Sequence, residues 1–246
     1  MANIALIFAG GVGQRLKNKN STPKQFLKIN GKCIIIHTLE IFQRHEKIDK
    51  IYIAIHPDYF EYMHELVKYH YITKVAGIVK GGATGQDSIY NALKLAEKEN
   101  SSDSFVLIHD GVRPNITPEV ITNNIECAKK NGNAITCKPC FETILVSNNH
   151  TNPQHVPYRK DTFAAQAPQT FCLGEIISAH EKVRKTNPNY ENIVDSCTLY
   201  KTLDVPTYMV EGNRANIKIT TIEDLYVLRA LIRLKEDMEV LEVEAN

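Results

Sequence analysis

The chain has 246 residues, of which 43% are hydrophobic and 23% are charged. This composition excludes a disordered tail and a fibrous protein, and the length suits one large α/β domain or two small ones. No apolar run approaches the roughly 18 residues of a membrane span, so no membrane partner is expected. Lysine and arginine total 29 against 28 acidic residues, and this net charge of +1 argues against nucleic acid as a partner.

The charge is distributed unevenly along the chain. Six basic residues precede the first acidic residue, Glu40, whereas five of the last twelve residues are acidic. The opening segment MANIALIFAGG has neither the basic start nor the cleavage site of a secretory signal. The CxxC formed by Cys137 and Cys140 lacks the two further ligands of a zinc site. We therefore expect reduced cysteines and a cytoplasmic location.

Short apolar runs alternate with helical patterns in the first half of the chain. The predicted strands cover residues 3–8, 51–55, 74–79, 105–109 and 134–138. The predicted helices cover residues 35–42, 59–69, 87–97 and 118–130. Alternation of this kind predicts an α/β fold with a mostly parallel, twisted sheet covered by helices on both faces.

The alternation breaks near Pro139 and returns near residue 173. Residues 139–171 are polar and β-like, with candidate short strands at 143–147 and 156–159, so we predict a protruding β-arm there. Beyond it the sequence predicts helices at 173–184 and about 193–201, a strand at 207–210, and a last helix from 221 to about 234. We predict a single domain over residues 1–246 with the arm inserted at about 139–171.

The first predicted strand ends in a glycine-rich loop. After Phe8 the sequence reads Ala9-Gly10-Gly11-Val12-Gly13, followed by Arg15 and by Lys24 in a Pro-Lys-Gln segment. Glycines let backbone amides approach phosphate oxygens, and nearby cations neutralise their charge. The P-loop motif is absent, and the dinucleotide motif GxGxxG lacks its third glycine. We therefore predict a phosphate-binding loop with Arg15 and Lys24 as its cations.

Two more strand ends carry polar groups, and ligands of open α/β sheets bind at such ends. The segment Gly81-Gly82-Ala83-Thr84-Gly85-Gln86-Asp87-Ser88 opens a helix, which is typical of a base- or ribose-binding turn and also of an ordinary capped turn. Asp110 follows the fourth strand, close to Arg113. A carboxylate at a strand end beside a phosphate loop is what Mg²⁺ requires, so Asp110 is the candidate metal ligand.

Two basic residues later in the chain are candidate phosphate ligands. Lys218 stands in the otherwise apolar run Ile217-Lys218-Ile219, where a cation is costly unless it pairs with an anion. Arg159 lies in the predicted arm, and its spacing fits a surface arginine equally well.

These motifs together resemble the cytidylyltransferases of the 2-C-methyl-D-erythritol 4-phosphate and ribitol-5-phosphate type. The resemblance covers nearly the whole chain and is carried by AGGVGQRL, PKQF, GKCIIIHTLEIF, GGATGQDSI, HDGVRP, YRKDTFAAQAPQTF and NIKITTIEDL. It implies a Rossmann-like three-layer nucleotidyltransferase domain whose β-arm clasps a second copy in a homodimer. It also implies CTP and a small polyol phosphate as substrates, Mg²⁺ as cofactor and release of pyrophosphate.

The resemblance also implies roles for individual residues. Arg15, Lys24, Arg159 and Lys218 are the expected catalytic residues, and Asp110 is the expected magnesium ligand. The expected CTP-binding residues are Phe8, Ala9, Gly10, Gly11, Gly13, Gly81, Gly82, Ala83, Gln86, Asp87 and Ser88. The expected residues for the acceptor phosphate are Arg113, Thr143, Arg159 and Lys218, with Arg159 reaching into the partner's site.

Departures from the family pattern bear on the acceptor. Gly85 stands where the family usually has arginine, Ala167 where it has threonine, and Ala215 where the methylerythritol enzymes carry aspartate. HDGVRP is also nearer to the ribitol type. We therefore favour D-ribitol 5-phosphate and a CDP-alditol for cell-surface polymer synthesis, with 2-C-methyl-D-erythritol 4-phosphate of isoprenoid precursor synthesis as the alternative. A catalytically silent nucleotide-binding homologue is the alternative of another class.

Overall fold

The computed structural model describes residues 1–11 and 22–241, with side chains described as far as residue 238. Gly13 and Arg15, two of the residues singled out in the sequence, lie outside this part of the chain. No helix within the described ranges is long and apolar enough to cross a membrane.

Strands and helices alternate along the described chain. The strands are β1 (Asn3–Ala9), β2 (Lys28–Ile29), β3 (Lys32–Cys33), β4 (Lys50–Ile55), β5 (Val75–Lys80), β6 (Phe105–Asp110), β7 (Asn133–Pro139), β8 (Phe163–Cys172) and β9 (Met209–Glu211). The helices are α1 (Ile34–Arg44), α2 (Phe60–Tyr69), α3 (Gly85–Glu97), α4 (Pro118–Asn131), α5 (Leu173–Thr186), α6 (Ser196–Lys201) and α7 (Ile222–Leu241). The predicted α/β alternation is confirmed, and the strands predicted in the first half shift at their ends by only a residue or so.

Seven of these strands form one sheet in the order β5-β4-β1-β6-β8-β7-β9. β1 pairs in parallel with β4 and β6, and β4 pairs in parallel with β5. The parallel strands bring their carboxyl ends to the same edge of the sheet, where the loops after β1, β5 and β6 meet. The predicted mostly parallel sheet is confirmed, with β8 running antiparallel to both of its neighbours.

Residues 163–172 correct the predicted extent of the excursion from the sheet. The sequence placed residues 139–171 outside the sheet, but β8 lies within it, between β6 and β7. Its polar side chains are buried, as shown by Gln169, which donates to Asp195 Oδ2 at 2.8 Å, and Thr170, which donates to Asn124 Oδ1 at 3.2 Å. Of the predicted excursion, residues 140–162, here called the arm segment, lie outside the sheet. A β-bridge joins Val146 and His155 within this segment, and the Cys140 amide donates to the Thr162 carbonyl at 3.0 Å.

The central strands of the sheet are buried on both faces, which explains why β1, β4 and β6 consist largely of apolar residues. In β1, Ile4 and Leu6 pack into the core beneath α3 and α5, while Ala5 and Ile7 pack into the core beneath α1, α2 and α4. All four side chains are fully buried. Because its side chains are buried on both faces of the sheet, β1 has a fixed position and register. The start of the loop that follows Ala9 is positioned in the same way.

Candidate active site

The loops after β1, β5 and β6 enclose a cavity of about 220 Å³, here called the glycine-loop cleft. It brings together residues that the sequence singled out in five separate segments. The lining residues are Phe8, Ala9, Gly10, Gly11, Lys24, Gln25, Gly82, Ala83, Thr84, Gly85, Ser88, Asp110, Val112 and Lys218. Backbone amides, a serine hydroxyl and two lysines therefore face one space.

Gln25 holds the loop after β1 in place. Its side chain is 1% exposed, and its amide donates to the carbonyl oxygens of Ala9 at 2.9 Å and Gly11 at 3.1 Å. The Gln25 side chain thus fixes the start of the loop after β1, and its neighbour in the sequence, Lys24, lines the cleft. Sequence reasoning did not assign Gln25 a role, although it stands in the Pro-Lys-Gln segment that marked Lys24.

The Ser88 hydroxyl lies between the loop after β1 and the turn before α3. Its hydroxyl accepts from the Gly82 amide at 3.1 Å and donates to the Thr84 carbonyl at 2.9 Å. A Cβ added at Gly10 or at Gly81 would lie 2.8 Å from Ser88 Oγ. Glycine is therefore needed at both positions because the two backbone segments approach the same hydroxyl.

The start of α3 is closed by a capping box that engages Asp87. The Thr84 hydroxyl accepts from the Asp87 amide at 3.0 Å, and the Asp87 carboxylate accepts from the Thr84 amide at 3.1 Å. The same carboxylate pairs with Arg184 of α5 at 2.8 Å. Asp87 is therefore engaged in anchoring the helix, and its side chain is not among those lining the glycine-loop cleft.

Asp110, the last residue of β6, is the centre of a charge cluster. Its Oδ1 lies 2.5 Å from Lys218 Nζ, and its Oδ2 lies 2.8 Å from Arg113 Nε. Burial alone would raise the pKa of Asp110, but Lys218 and Arg113 outweigh it and hold that pKa below its usual value. The Lys218 side chain remains 42% exposed, so its ammonium is accessible to an incoming anion.

The two cations are held by the turn after β6 and by the extended segment that carries Lys218. Arg113 donates to the Asn216 carbonyl at 2.8 Å, and the Ile219 amide donates to the Val112 carbonyl at 3.0 Å. His109 donates through Nε2 to the Arg113 carbonyl at 3.1 Å, and burial lowers the pKa of His109 to about 4. His109 is thus a neutral structural donor that fixes the turn.

A second cavity of about 240 Å³, here called the glutamine cleft, meets the glycine-loop cleft at Phe8, Gly85, Asp110 and Lys218. Its other lining residues are Gln86, Ile89, Ile108, Arg113, Ala165, Gln166, Ala167, Gln169, Val194, Asp195 and Ser196. Gln86, predicted as a nucleotide contact, lines this second cleft instead of the first. The sequence alone indicated no role for Gln166, Gln169, Asp195 or Ser196. Of these, only the two glutamines lie in a motif that carries the family resemblance, YRKDTFAAQAPQTF.

Thr143 and Arg159 are not brought to either cleft by the described part of this chain. Both are exposed residues of the arm segment.

Asp110 is the residue that could hold a divalent cation. The described residues contain no group of three or more histidine, cysteine, aspartate or glutamate side chains arranged around a metal site. Magnesium is commonly bound by one or two carboxylates, with substrate phosphates and water completing its shell. Asp110 fits that arrangement as the single protein ligand, provided that phosphates are bound beside it.

The glycine loop after β1 and the charged end of β6 are typical of an α/β protein that binds phosphate-bearing ligands. The family model for IspD, 2-C-methyl-D-erythritol 4-phosphate cytidylyltransferase, matches residues 3–234. The chain therefore belongs to the IspD family, which confirms the resemblance seen in its motifs.

Individual relatives agree with this assignment. A ribitol-5-phosphate cytidylyltransferase of Streptococcus agalactiae serotype V is 42% identical over 240 residues, covering 98% of this chain and 99% of the relative. A 2-C-methyl-D-erythritol 4-phosphate cytidylyltransferase of Clostridium botulinum is 38% identical over 223 residues, covering 91% and 94%. The crystal structure of 4-diphosphocytidyl-2C-methyl-D-erythritol synthase from Anaerococcus prevotii superposes with a TM-score of 0.79 at 25% identity, covering 94% and 96%.

Proposed function

We propose that this chain transfers the cytidylyl group of CTP to a polyol phosphate, D-ribitol 5-phosphate, and releases pyrophosphate. The observation that carries the proposal is the junction of the two clefts, where Asp110, Lys218 and Phe8 line both spaces. Two anionic substrates that enter from the two clefts would meet at this junction. The full-length similarity to ribitol-5-phosphate cytidylyltransferases supports the choice of acceptor.

The glycine-loop cleft is the proposed CTP site. Backbone amides of Gly10 and Gly11 would bind the phosphates, and Lys24, which lines the same cleft, would neutralise their charge. Arg15 is proposed from the sequence as the second cation. Charge accumulates on the phosphates in the transition state, so cations fixed in advance lower the barrier more than they strengthen substrate binding.

The reaction needs positioning more than covalent help from the protein. An oxygen of the acceptor phosphate attacks the α-phosphorus of CTP, and the bond from that phosphorus to the oxygen bridging the β-phosphorus breaks. The acceptor phosphate is already an anion, so no general base is required. In our proposal, Lys218 and Arg113 bind the acceptor phosphate at the junction and align it for attack.

Asp110 is the proposed ligand for Mg²⁺. A bound magnesium ion would supply positive charge to the CTP phosphates. Asp110 also has a second role, independent of the metal ion. Its ion pairs at 2.5 and 2.8 Å orient Lys218 and Arg113.

We further propose that the arm segment forms a homodimer and brings Arg159 and Thr143 to the partner's acceptor site. Its apolar side chains are exposed, among them Phe141 at 58%, Leu145 at 60% and Tyr158 at 63%. A segment with so many exposed apolar groups gains free energy from being covered by a second copy.

The six cysteines are free, which supports a location in the reducing cytoplasm.

A second candidate acceptor is 2-C-methyl-D-erythritol 4-phosphate, which the family model and the Clostridium botulinum relative favour. Pyrophosphate release with CTP and Mg²⁺ discriminates the candidates when ribitol 5-phosphate, methylerythritol phosphate and glycerol 3-phosphate are compared. We expect the highest kcat/KM with ribitol 5-phosphate. Release with none of these acceptors would favour a catalytically silent homologue.

A further inference from the structure

Three residues that line the glutamine cleft have a buried oxygen that makes no hydrogen bond to any described residue. The atoms are Gln86 Oε1, Gln166 Oε1 and Ser196 Oγ, and the residues are 4%, 5% and 2% exposed. Buried polar groups without partners are rare, because each costs free energy unless something hydrogen-bonds to it. The Gln166 side chain is held by its amide, which donates to the Asn213 and Asn216 carbonyls, and this leaves Gln86 and Ser196 as the two candidate ligand contacts.

The position of Ser196 is fixed by its neighbours. Asp195 caps α6 by accepting from the Thr198 amide at 2.8 Å, and its other oxygen accepts from Gln169 at 2.8 Å. The oxygen of the Gln169 side chain accepts from the Cys197 amide at 2.8 Å. The start of α6 is thus tied to β8, and the Ser196 hydroxyl is the polar group of this turn that is left unused.

The lining of the glutamine cleft carries charges of both signs. Lys218 and Arg113 pair with Asp110, whereas Asp195 directly precedes Ser196 and accepts from Gln169 and Thr198. An anionic group would favour the two cations, and neutral donors would favour the neighbourhood of Asp195. The apolar side chains of Ile89 and Ile108 complete the lining.

We propose that the glutamine cleft binds the hydroxyl chain of the acceptor and that Gln86 and Ser196 select a polyol. The inference rests on the proposed function, since it deepens the assignment of the acceptor. Polyol hydroxyls both donate and accept, so they can donate to Gln86 Oε1 and exchange a hydrogen bond with Ser196 Oγ. The acceptor phosphate then lies at Lys218 and Arg113, and the hydroxyl chain extends toward Asp195.

Two substitutions test this inference. Ser196→Ala removes an oxygen that has no partner, and Gln86→Leu removes the amide at similar side-chain size. We expect each to lower kcat/KM for ribitol 5-phosphate about tenfold, because a substrate hydroxyl loses its partner. The KM for CTP and the inhibition constant of glycerol 3-phosphate, which has the phosphate but a shorter chain, should not change.

Tyr200→Phe is the matched control. Its hydroxyl is also buried and unpartnered, but Tyr200 packs in the core and lines neither cleft. We expect its kinetics to match the wild type, and thermal melting of all three variants reports whether the fold is retained.

The outcomes separate the inference from the proposed function. Unchanged kcat/KM for ribitol 5-phosphate in folded Ser196→Ala and Gln86→Leu, or a rise in the KM for CTP instead, would overturn the role of the cleft while leaving the proposed function intact. Absence of pyrophosphate release by the wild type with ribitol 5-phosphate would overturn the proposed acceptor, and the role of the cleft with it.

Discussion

Lys218 Nζ lies 2.5 Å from Oδ1 of Asp110, at the point where the glycine-loop cleft and the glutamine cleft meet. The two residues are 108 positions apart in the sequence, and the buried carboxylate holds the partly exposed ammonium in place. The ion pair thus keeps a cation at the junction before any substrate arrives, which is the preorganisation that phosphoryl transfer requires.

Lys24→Ala tests the proposed triphosphate site. Removal of one preorganised charged donor commonly costs about 2.7–4 kcal/mol of transition-state stabilisation, so we expect kcat to fall at least about a hundredfold. We expect a similar fall in kcat for Arg15→Ala. Steady-state pyrophosphate release measures the effect, with thermal melting as the check on folding. A rate near that of the wild type in either folded variant contradicts the proposed CTP site.

Lys218→Met tests the proposed acceptor phosphate site. The substitution keeps the length of the side chain and removes the charge that faces the junction, so we expect the KM for the acceptor to rise about tenfold or more. Arg44→Met, which removes an exposed cation that lines neither cleft, is the control. An unchanged KM for the acceptor in the Lys218 variant would argue against a phosphate contact.

Gln25→Leu tests the anchoring of the glycine loop. The change leaves the Ala9 and Gly11 carbonyls without a shared donor, and we expect a loss of about 2 kcal/mol in the free energy of unfolding and a higher KM for CTP. Urea denaturation and steady-state kinetics measure the two effects. Gln43→Leu, which removes a glutamine bonded to Thr73 and Lys74 outside the clefts, should leave the KM for CTP unchanged. Equal effects of the two variants on that KM would refute the anchoring role.

Complementation tests the proposed exchange of arms in a dimer. Arg159→Ala and Lys24→Ala chains should each be nearly inactive, but a mixed dimer contains one site with intact Lys24 and an intact partner arm. Random pairing of equal amounts makes half of the dimers mixed, so we expect about a quarter of wild-type activity. The assay requires co-refolding or co-expression of the two chains. Activity that stays at the level of the separate variants would mean that Arg159 does not act across a dimer.

The buried His180 predicts a dependence of stability on pH. Burial lowers the pKa of His180 to about 3, while its Nδ1 lies 2.7 Å from the Tyr190 hydroxyl. As pH falls below about 6.5, the unfolded chain takes up a proton that the folded chain does not, so stability falls by up to about 1.4 kcal/mol per pH unit from this residue. Urea denaturation between pH 7 and pH 5 should give a smaller slope for His180→Asn. Equal slopes in the two proteins would contradict this assignment.

Much of the fold could be predicted from the sequence because the parallel strands of the first half of the chain, β1, β4, β5 and β6, are mainly apolar runs. The proximity of Phe8 and Asp110 could also be predicted, because parallel strands place their carboxyl ends at one edge of the sheet. β8 could not be predicted because its polar side chains are satisfied by Asp195 and Asn124, which are distant in the chain. Ser196 carried no signal, because a serine at the start of a helix is an ordinary pattern.

The most direct test is pyrophosphate release by the wild-type protein with CTP and Mg²⁺, with ribitol 5-phosphate and 2-C-methyl-D-erythritol 4-phosphate assayed separately. We expect release with ribitol 5-phosphate at a kcat/KM at least about tenfold above that for methylerythritol phosphate, since an acceptor hydroxyl that finds its partner commonly gives that advantage. A preference for methylerythritol phosphate, or no release with either acceptor, would contradict the proposed function.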